Sequence, residues 1–410
     1  MTLLSELGEG IRISWGALRA NLMRSVLTTI GIVIGIVTVT LMATALETLD
    51  VVFHEAISFL GTDVLYVDRQ AWAAESNQRW QDIMKREKIT LAQARAVEQD
   101  LGMVRGVAPT VFTGVESVTF RNRSSGMVTL VGTNEQFLVT GGIELASGRF
   151  LTRTEAYADR SLCVIGAEVA EKLFLNESPL GQRIRLGEEP FEVIGTLVKR
   201  GAAFGKISLD NQIIIPIQRI TRFRWNPSCM IQVKVGDTAH LEATREELRG
   251  VLRKIRKVPP GKEDDFSINQ QEALVSQFGK VSAIIAMAGF FITGLSLFVG
   301  GIGIMNIMFV SVTERTQEIG IRKALGARRR TILLQFLIEA ASICLLGGVI
   351  ALIIARTVVE IARHYIPQVS FSFSVVLLAL AVSLATGLIS GLLPAWRAAR
   401  MKPVDALRKD

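Results

Sequence analysis

Long runs without a charged side chain constrain this 410-residue sequence more than any other feature. A helix needs about 20 mostly apolar residues to cross a bilayer, and a charge near its centre costs several kcal/mol. Three runs carry no charge: 25–46, 281–313 and 365–396. A fourth, 331–355, is interrupted only by Glu339, and Pro367 places the start of the last helix near Phe371. The sequence therefore predicts four transmembrane helices, at 25–46, 281–313, 331–355 and 371–396.

The second run is longer than a bilayer requires. At 1.5 Å per residue, residues 281–313 would reach roughly 50 Å, whereas the hydrocarbon core is about 30 Å thick. We expect this helix to project from the membrane as a stalk.

Basic side chains are concentrated in three short segments that flank the apolar runs, namely 1–24, 314–330 and 397–410. Together they carry 14 Lys and Arg against 6 Asp and Glu, a net +8 that equals the formal charge of the whole chain. Such segments remain in the cytoplasm. The pattern predicts a multi-pass protein of the bacterial inner membrane with both termini cytoplasmic, and it gives no evidence for a nucleic-acid partner. In residues 1–24 the apolar side chains recur at helical spacing, which predicts an amphipathic interfacial helix.

Residues 47–280 form a long insertion between the first two predicted spans, and the segment 356–370 is a short turn on the same, extracytoplasmic side. The insertion holds 30 basic and 30 acidic residues and is neutral overall. Short β-branched runs predict strands at 128–131, 162–165, 191–194, 213–217 and 230–235. Helical spacing predicts helices at 90–98, 167–174 and 241–255. The predicted fold class is an integral membrane α-helical protein with four spans and a large α+β extracytoplasmic domain inserted between spans one and two.

No catalytic or metal-binding constellation is recognisable in the sequence. The three Cys and three His contain no CxxC, HExxH or closely spaced ligand pair. We therefore expect a chain that is not an enzyme, without catalytic, cofactor-binding or metal-binding residues of its own. Cys163 and Cys229 lie in apolar strand-like runs, which favours two buried thiols over a disulfide. Six basic residues form one helix face, for which we expect a solvated surface, with the binding of an anionic ligand as the alternative. They are Arg245, Arg249, Arg253, Lys254, Arg256 and Lys257.

Small residues in the spans predict close helix packing. Gly31 with Gly35, and Gly387 with Gly391, each place two glycines on one helix face. The second span adds Gly300, Gly301 and Gly303, followed by Asn306, whose amide we expect to form a hydrogen bond to a neighbouring helix. Packing within the chain and a dimer interface explain this pattern equally well.

The segment 314–330 between the second and third spans has the pattern of a short, rigid helix. Thr313 and Thr316 are candidates for its N-terminal cap, and Gly326 for its end. An apolar edge is formed by Ile319, Ile321 and Leu325. Docking of a cytoplasmic partner and simple anchoring by positive charge both fit this spacing. Glu339 lies close enough to the cytoplasmic headgroups to reach them by snorkelling.

Several segments resemble MacB-type ABC transporter permeases of the broader FtsX-like family. The most specific are Gly300-Gly-Ile-Gly-Ile-Met-Asn-Ile-Met308 and Ser311-Val-Thr-Glu-Arg-Thr-Gln-Glu-Ile-Gly-Ile-Arg-Lys-Ala-Leu-Gly-Ala327. Gln335-Phe-Leu-Ile-Glu339, Gly391-Leu-Leu-Pro394-Ala395 and Pro403-Val-Asp-Ala-Leu407 follow them. In the insertion, shorter matches such as Gly148-Arg-Phe150 and Val193-Ile-Gly195 resemble the family's periplasmic core, and Asp264-Asp-Phe266 resembles its closing strand.

The resemblance implies a permease that dimerises, with a second copy or a paralogue, and sits on two copies of an ABC ATPase. It assigns contact with the ATPase to the coupling residues Glu314, Arg315, Glu318, Ile319, Gly320, Arg322, Lys323, Ala324, Leu325 and Gly326. Nucleotide-driven movement would pass along the stalk to the periplasmic domain, which exports a drug, peptide or lipid-like substrate.

The sequence contains no GxxxxGK[ST] phosphate-binding loop. ATP and Mg are therefore expected in a separate partner ATPase, with a periplasmic adaptor and an outer-membrane channel as further possible partners. Activation of a cell-wall hydrolase and lipoprotein release are the alternative functions within the resemblance.

Overall fold

The computed structural model describes residues 22–72, 85–102, 104–175, 177–203, 207–224 and 226–407. Most of the amphipathic helix predicted at 1–24, and residues 408–410 of the tail, lie outside the described residues. The chain divides into two compact units. One comprises Met1–Val51 together with Val281–Asp410, and the other is Val52–Lys280.

The helices of the described chain are α1 (Leu22–Ile57), α2 (Leu91–Asp100), α3 (Phe137–Thr140), α4 (Arg153–Ala156), α5 (Ala167–Phe174), α6 (Leu241–Ile255), α7 (Gln271–Glu314), α8 (Thr316–Ala324), α9 (Arg329–Tyr365), α10 (Phe373–Arg400) and α11 (Pro403–Leu407). The strands are β1 (Val64–Asp68), β2 (Val104–Val115), β3 (Val118–Phe120), β4 (Arg123–Ser124), β5 (Val128–Thr133), β6 (Leu145–Gly148), β7 (Leu162–Ile165), β8 (Arg183–Leu186), β9 (Glu189–Leu197), β10 (Ala202–Ala203), β11 (Ile207–Ser208), β12 (Gln212–Pro216), β13 (Met230–Val235) and β14 (Ser267–Asn269).

Four of these helices are long and apolar enough to cross a membrane, as the sequence predicted: α1, α7, α9 and α10. The helix that contains the second apolar run, α7, has 44 residues. At 1.5 Å per residue it is roughly 66 Å long, about twice the thickness of a hydrocarbon core. This length is compatible with a stalk.

The helix bundle has an apolar core, to which α1, α7, α8, α9 and α10 contribute. Ile36, Met308 and Phe336 are fully or almost fully buried in it. Several hydroxyl groups within these helices bond to the preceding turn: Thr40 donates to Ile36 O and Ser342 donates to Ile338 O, both at 2.7 Å. Such bonds let polar side chains occupy an apolar environment.

The Val52–Lys280 unit is an α+β fold built on a 12-stranded mixed sheet. Its strand order is β14-β1-β13-β2-β5-β12-β7-β9-β8-β3-β4, with β6 paired to β9. The long strand β2 pairs with β13 through its first half and with β5 through its second half, which makes the sheet continuous. Strand β12 runs parallel to β5, and β7 runs parallel to β9.

Helices cover this sheet with the faces that the sequence pattern marks as apolar. Leu248 and Leu252 of α6 are completely buried. Helix α2 begins with a capping box, in which Thr90 accepts from the backbone of Gln93 and the Gln93 side chain accepts from Thr90. Strand β14 pairs with β1 at the sheet edge and leads through Gln270 into α7.

The predicted strands at 162–165 and 230–235 and the helix at 167–174 are confirmed residue for residue. The resemblance predicted a closing strand at 264–266. This position is wrong, because the strand occupies Ser267–Asn269. Asp264 and Asp265 precede it, and their carboxylates bind Arg253 and Arg256 instead of entering the sheet.

Candidate coupling site at the end of the helix bundle

The candidate site is α8, a short helix between two long apolar helices. The predicted N-terminal cap is wrong, because α8 has no side-chain cap. Thr313 donates to Val310 O at 2.8 Å, and Thr316 donates to Val312 O at 3.1 Å, so both hydroxyls bond back into the end of α7. The two helices are therefore joined by a tight, hydrogen-bonded corner at Arg315.

The predicted end of α8 at Gly326 is confirmed. Gly326 has φ +94, a backbone conformation that a side chain disfavours. Its N–H donates to Lys323 O and that of Ala327 donates to Arg322 O, both at 3.0 Å. These bonds satisfy the last carbonyls of the helix and turn the chain into α9.

One face of α8 packs into the helix bundle. Ile319 is 2% exposed and belongs to the same apolar cluster as Ile332 and Phe336 of α9. Gly320 beside it is also buried. The predicted apolar edge is thus divided, because Ile319 faces inward whereas Ile321 and Leu325 are 46% and 84% exposed.

A salt bridge fixes the start of α8 to α9. Arg315 Nη1 lies 3.3 Å from Glu339 Oε2 and 3.4 Å from Glu339 Oε1. Glu339 is only 3% exposed. The expected snorkelling of Glu339 to the headgroups is therefore wrong: the carboxylate is enclosed by protein and paired with a guanidinium, which offsets the cost of its burial.

Lys323 fixes the other end of α8 to the last long helix. Its Nζ donates to Ala399 O at 2.7 Å and to Met401 O at 2.5 Å. Carbonyls at a helix C-terminus have no partner within the helix and carry partial negative charge, so an ammonium group is well placed there. Burial lowers the pKa of Lys323, and the nearby charge of Arg329 lowers it further.

Arg322 adds a third connection. Its Nη1 donates to Gln335 Oε1 of α9 at 2.9 Å, and its Nη2 donates to Glu318 Oε1 at 2.5 Å. Arg315, Arg322 and Lys323 thus form a clamp that holds α8 against α9 and α10. Sequence spacing did not identify the other half of this clamp, which consists of Gln335, Glu339 and two backbone carbonyls. The single charge of Glu339 within an otherwise uncharged run was the sequence feature that could have indicated this pairing.

The outward surface of α8 combines apolar and acidic groups. Ile321 and Leu325 lie one helical turn apart. The short helix α11 packs beside α8, and its Val404 is 73% exposed. We call Ile321, Leu325 and Val404 the outer patch. Glu314, Glu318 and Ala324 are also exposed at this end of the bundle.

The residues predicted to pack between helices fall into two groups. Most of them form close contacts inside the chain: Gly31 packs on Gly300, Gly35 on Leu297, Gly301 on Ser390, Gly387 on Cys344 and Gly391 on Ala340. Asn306, in contrast, is exposed on α7, and Gly303 is partly exposed. The expected hydrogen bond from Asn306 to a neighbouring helix is not found among the described residues.

Thiols and metal ligands form no candidate centre in the part of the chain that the structure describes. Cys163, Cys229 and Cys344 are all unbridged and buried. Burial raises the pKa of the Cys229 thiol to about 12, and it raises the pKa of Cys163 as well. The described residues contain no group of three His, Cys, Asp or Glu side chains that could hold a metal ion.

Residues 25–251 match the MacB-like periplasmic core domain, and residues 290–403 match the FtsX-like permease C-terminal domain. The chain belongs to the MacB-type permease family. The second match contains α8 and its clamp, and the family resemblance inferred from the motifs is confirmed.

Relatives within the MacB family align with nearly the whole chain. The macrolide export ATP-binding/permease protein MacB of Brucella melitensis is 32% identical over 99% of this chain and 61% of its own length. MacB of Azoarcus sp. is 33% identical over 99% of this chain and 60% of its own length. The pyoverdine export ATP-binding/permease protein PvdT of Pseudomonas syringae is 32% identical, with the same two coverages of 99% and 60%. The chain thus spans about three fifths of the length of these relatives.

Among solved structures, the periplasmic region of MacB from Actinobacillus actinomycetemcomitans is similar to this MacB-type chain with a TM-score of 0.44 and 18% identity. The similarity covers 54% of this chain and 95% of that structure.

Proposed function

We propose that the chain is the membrane permease of an ABC exporter, and that α8 transmits the movement of an ABC ATPase to the helix bundle. The observation that carries this proposal is the two-sided construction of α8. The clamp attaches one side to α9 and α10, and the outer patch leaves apolar side chains exposed on the other. A helix held in this way moves with the bundle when a partner pushes on it.

The composition of the outer patch supports a protein partner. Leu325 and Ile321 are large, exposed apolar residues, and the acidic Glu314 and Glu318 are exposed at the same end of the bundle. Exposed apolar anchors surrounded by charges are typical of protein interfaces. We propose the ABC ATPase, in two copies with ATP and Mg, as this partner.

The proposed orientation follows from charge. The basic flanks that include α8 and the residues after α10 are assigned to the cytoplasm of a bacterial inner-membrane protein, and Val52–Lys280 to the periplasm. The match of this insertion to a family named as a periplasmic core domain supports that side. We propose the export of a drug, peptide or lipid-like substrate, in keeping with relatives named for macrolide and pyoverdine export.

A second permease copy is proposed to pack against α7. Phe290, Phe291 and Phe298 are 65–75% exposed on this helix, and Asn306 is exposed farther along it. A polar amide on an apolar helix gains a hydrogen bond when it meets another helix. Cysteine substitution at Asn306 should give a cross-linked dimer in membranes, and cysteine at Ile353, which is 62% exposed on α9, provides the comparison.

The coupling proposal is tested by adding charge to the outer patch. The full chain would be reconstituted in nanodiscs with its cognate ATPase, and ATPase binding and stimulation would be measured for Leu325→Asp. Thr331→Asp is the matched control, since Thr331 is also exposed and lies in the first turn of α9, where an acidic residue is favourable. We expect Leu325→Asp to lose binding and stimulation while Thr331→Asp keeps both. Equal behaviour of the two variants would contradict docking at this patch.

A further inference from the structure

A polar cleft in the Val52–Lys280 unit lies where the last strand leads into the long helix α7. It has a volume of about 560 Å³ and is bordered by α6, β14 and the first turn of α7. Four arginines line it: Arg86, Arg245, Arg249 and Arg253. The acidic residues in its wall are Glu263 and Asp264, so the lining carries a net charge of +2.

Two of these arginines are occupied by structural contacts. Arg253 donates to Asp264 at 2.5 Å and to the carbonyls of Pro259 and Lys262. Arg86 donates to Arg69 O at 2.6 Å and to the Ser267 hydroxyl at 3.0 Å. These bonds fix the loop before β14 and give the cleft a rigid wall.

The other two arginines keep donors without an acceptor. Arg249 donates through Nη1 to the exposed Glu246, and its Nε lies 3.3 Å from Asp264 without forming a hydrogen bond. Arg245 has only the exposed Glu242 nearby, at 3.6 Å. The Nε atoms of Arg245 and Arg249 are both buried and have no hydrogen-bond partner among the described residues. The side chains of Arg245 and Arg249 are 32% and 38% exposed, so their charges are only partly buried, but each Nε–H is a buried donor without an acceptor.

Three of the arginines are regularly spaced along α6. Arg245, Arg249 and Arg253 follow one another at intervals of four residues, so they lie on one face of α6, where like charges repel. Asp264 is the only carboxylate that contacts more than one of them in the described structure, and it is shared by Arg249 and Arg253. Arg245 is left at the end of the row, where the carboxylate nearest to it in the described structure is that of Glu242 at 3.6 Å.

We propose that this cleft binds an oxyanion, either a phosphate or a carboxylate group, held by Arg245 and Arg249. Guanidinium groups bind such anions through paired N–H donors. The ligand would lie against Gln270 and Ala273, at the start of α7. Of the six basic residues for which the sequence favoured a solvated surface, only Arg245 and Arg249 are therefore assigned a ligand. This proposal concerns a separate site and does not depend on the coupling role of α8.

The test uses the purified full chain and four probes: inorganic phosphate, citrate, and vesicles of phosphatidylglycerol or phosphatidylcholine. Arg245→Gln is the informative variant, because Arg245 makes no hydrogen bond that its replacement would remove from the described structure. Lys254→Gln is the matched control, since Lys254 lies on the same helix, is 77% exposed and points to Asp100 rather than to the cleft. Thermal unfolding is followed during anion titration at constant ionic strength.

We expect a soluble anion to stabilise the wild type and Lys254→Gln, and to bind Arg245→Gln about tenfold or more weakly, as the loss of a charge-assisted hydrogen bond implies. Arg245→Lys should recover part of the affinity, because it keeps the charge but not the Nε donor. Selective binding of phosphatidylglycerol vesicles, lost in Arg245→Gln, would support the same site with a lipid phosphate as its ligand. The proposal is overturned if no probe binds the wild type, or if Arg245→Gln binds as well as Lys254→Gln.

Discussion

The Nζ atom of Lys323 lies 2.7 Å from the carbonyl oxygen of Ala399, so a lysine of the short helix α8 closes the C-terminus of α10. These residues are 76 positions apart in the chain. The contact makes the end of α10 part of the candidate coupling site, together with the Arg315–Glu339 bridge to α9.

Lys323→Met should weaken this connection. It removes two hydrogen bonds from a cation to helix-end carbonyls, and we expect a loss of ~1–3 kcal/mol in the stability of the bundle. ATPase stimulation should fall while ATPase binding is retained, because the outer patch is unchanged. Thermal unfolding and ATPase assays measure the two effects, with the exposed Lys402→Met as control. Wild-type stimulation in a stably folded Lys323→Met protein would contradict the clamp.

The buried pair Arg315–Glu339 should respond asymmetrically to substitution. Arg315→Met leaves the enclosed carboxylate of Glu339 without its cation and should cost ~3–5 kcal/mol. Glu339→Gln should cost less, since Arg315 is 23% exposed in its side chain and retains access to solvent. The double variant Arg315→Met/Glu339→Gln should be more stable than Arg315→Met alone. A double-mutant cycle in chemical unfolding measures the coupling, and additive effects would show that the pair does not interact.

Glycine positions in the spans should differ sharply in their tolerance of a side chain. A Cβ at Gly391 would lie 2.5 Å from the Cβ of Ala340, whereas a Cβ at Gly294 would meet nothing within 4 Å. We expect Gly391→Ala to destabilise the bundle by ~1–3 kcal/mol through overpacking of α9 against α10. Gly294→Ala should be neutral or stabilising, because alanine favours a helix. Thermal unfolding in detergent compares the two, and equal losses would argue against the α9–α10 packing described.

The two thiols of the Val52–Lys280 unit should be unreactive in the folded protein. Cys163 and Cys229 are buried, and burial raises the pKa of both, so almost no thiolate is present near neutral pH. Alkylation by a maleimide at pH 7 should be slow in the native protein and rapid after denaturation, as followed by mass spectrometry. Rapid native labelling, or a disulfide between the two residues, would show that the strands around them open.

Much of the local structure could be predicted because it depends on neighbours in the sequence. The β-branched run at 162–165 and the helical spacing at 167–174 each specify one element without help from distant residues. Strand β1 at Val64–Asp68 was missed, although its first four residues are buried. Its short run becomes a strand by pairing with β13 and β14, which are far away in the chain.

The same distinction applies to the candidate coupling site. The sequence predicted α8 and its end at Gly326, because glycine accepts the positive φ of that turn. It did not show that Lys323 points to α10 rather than to a partner, that Ile319 and Ile321 face opposite ways, or that Glu339 is enclosed.

The sequence by itself determined the four apolar helices, the zero net charge of residues 47–280 and the family, since hydrophobic length, charge distribution and contiguous motifs are properties of the chain read in order. Only the tertiary structure decided which side chains of α8 hold the bundle and which remain exposed. The reason is physical: a charged group pairs with whatever acceptor the fold brings within about 3 Å, and here those acceptors come from α9 and from the end of α10.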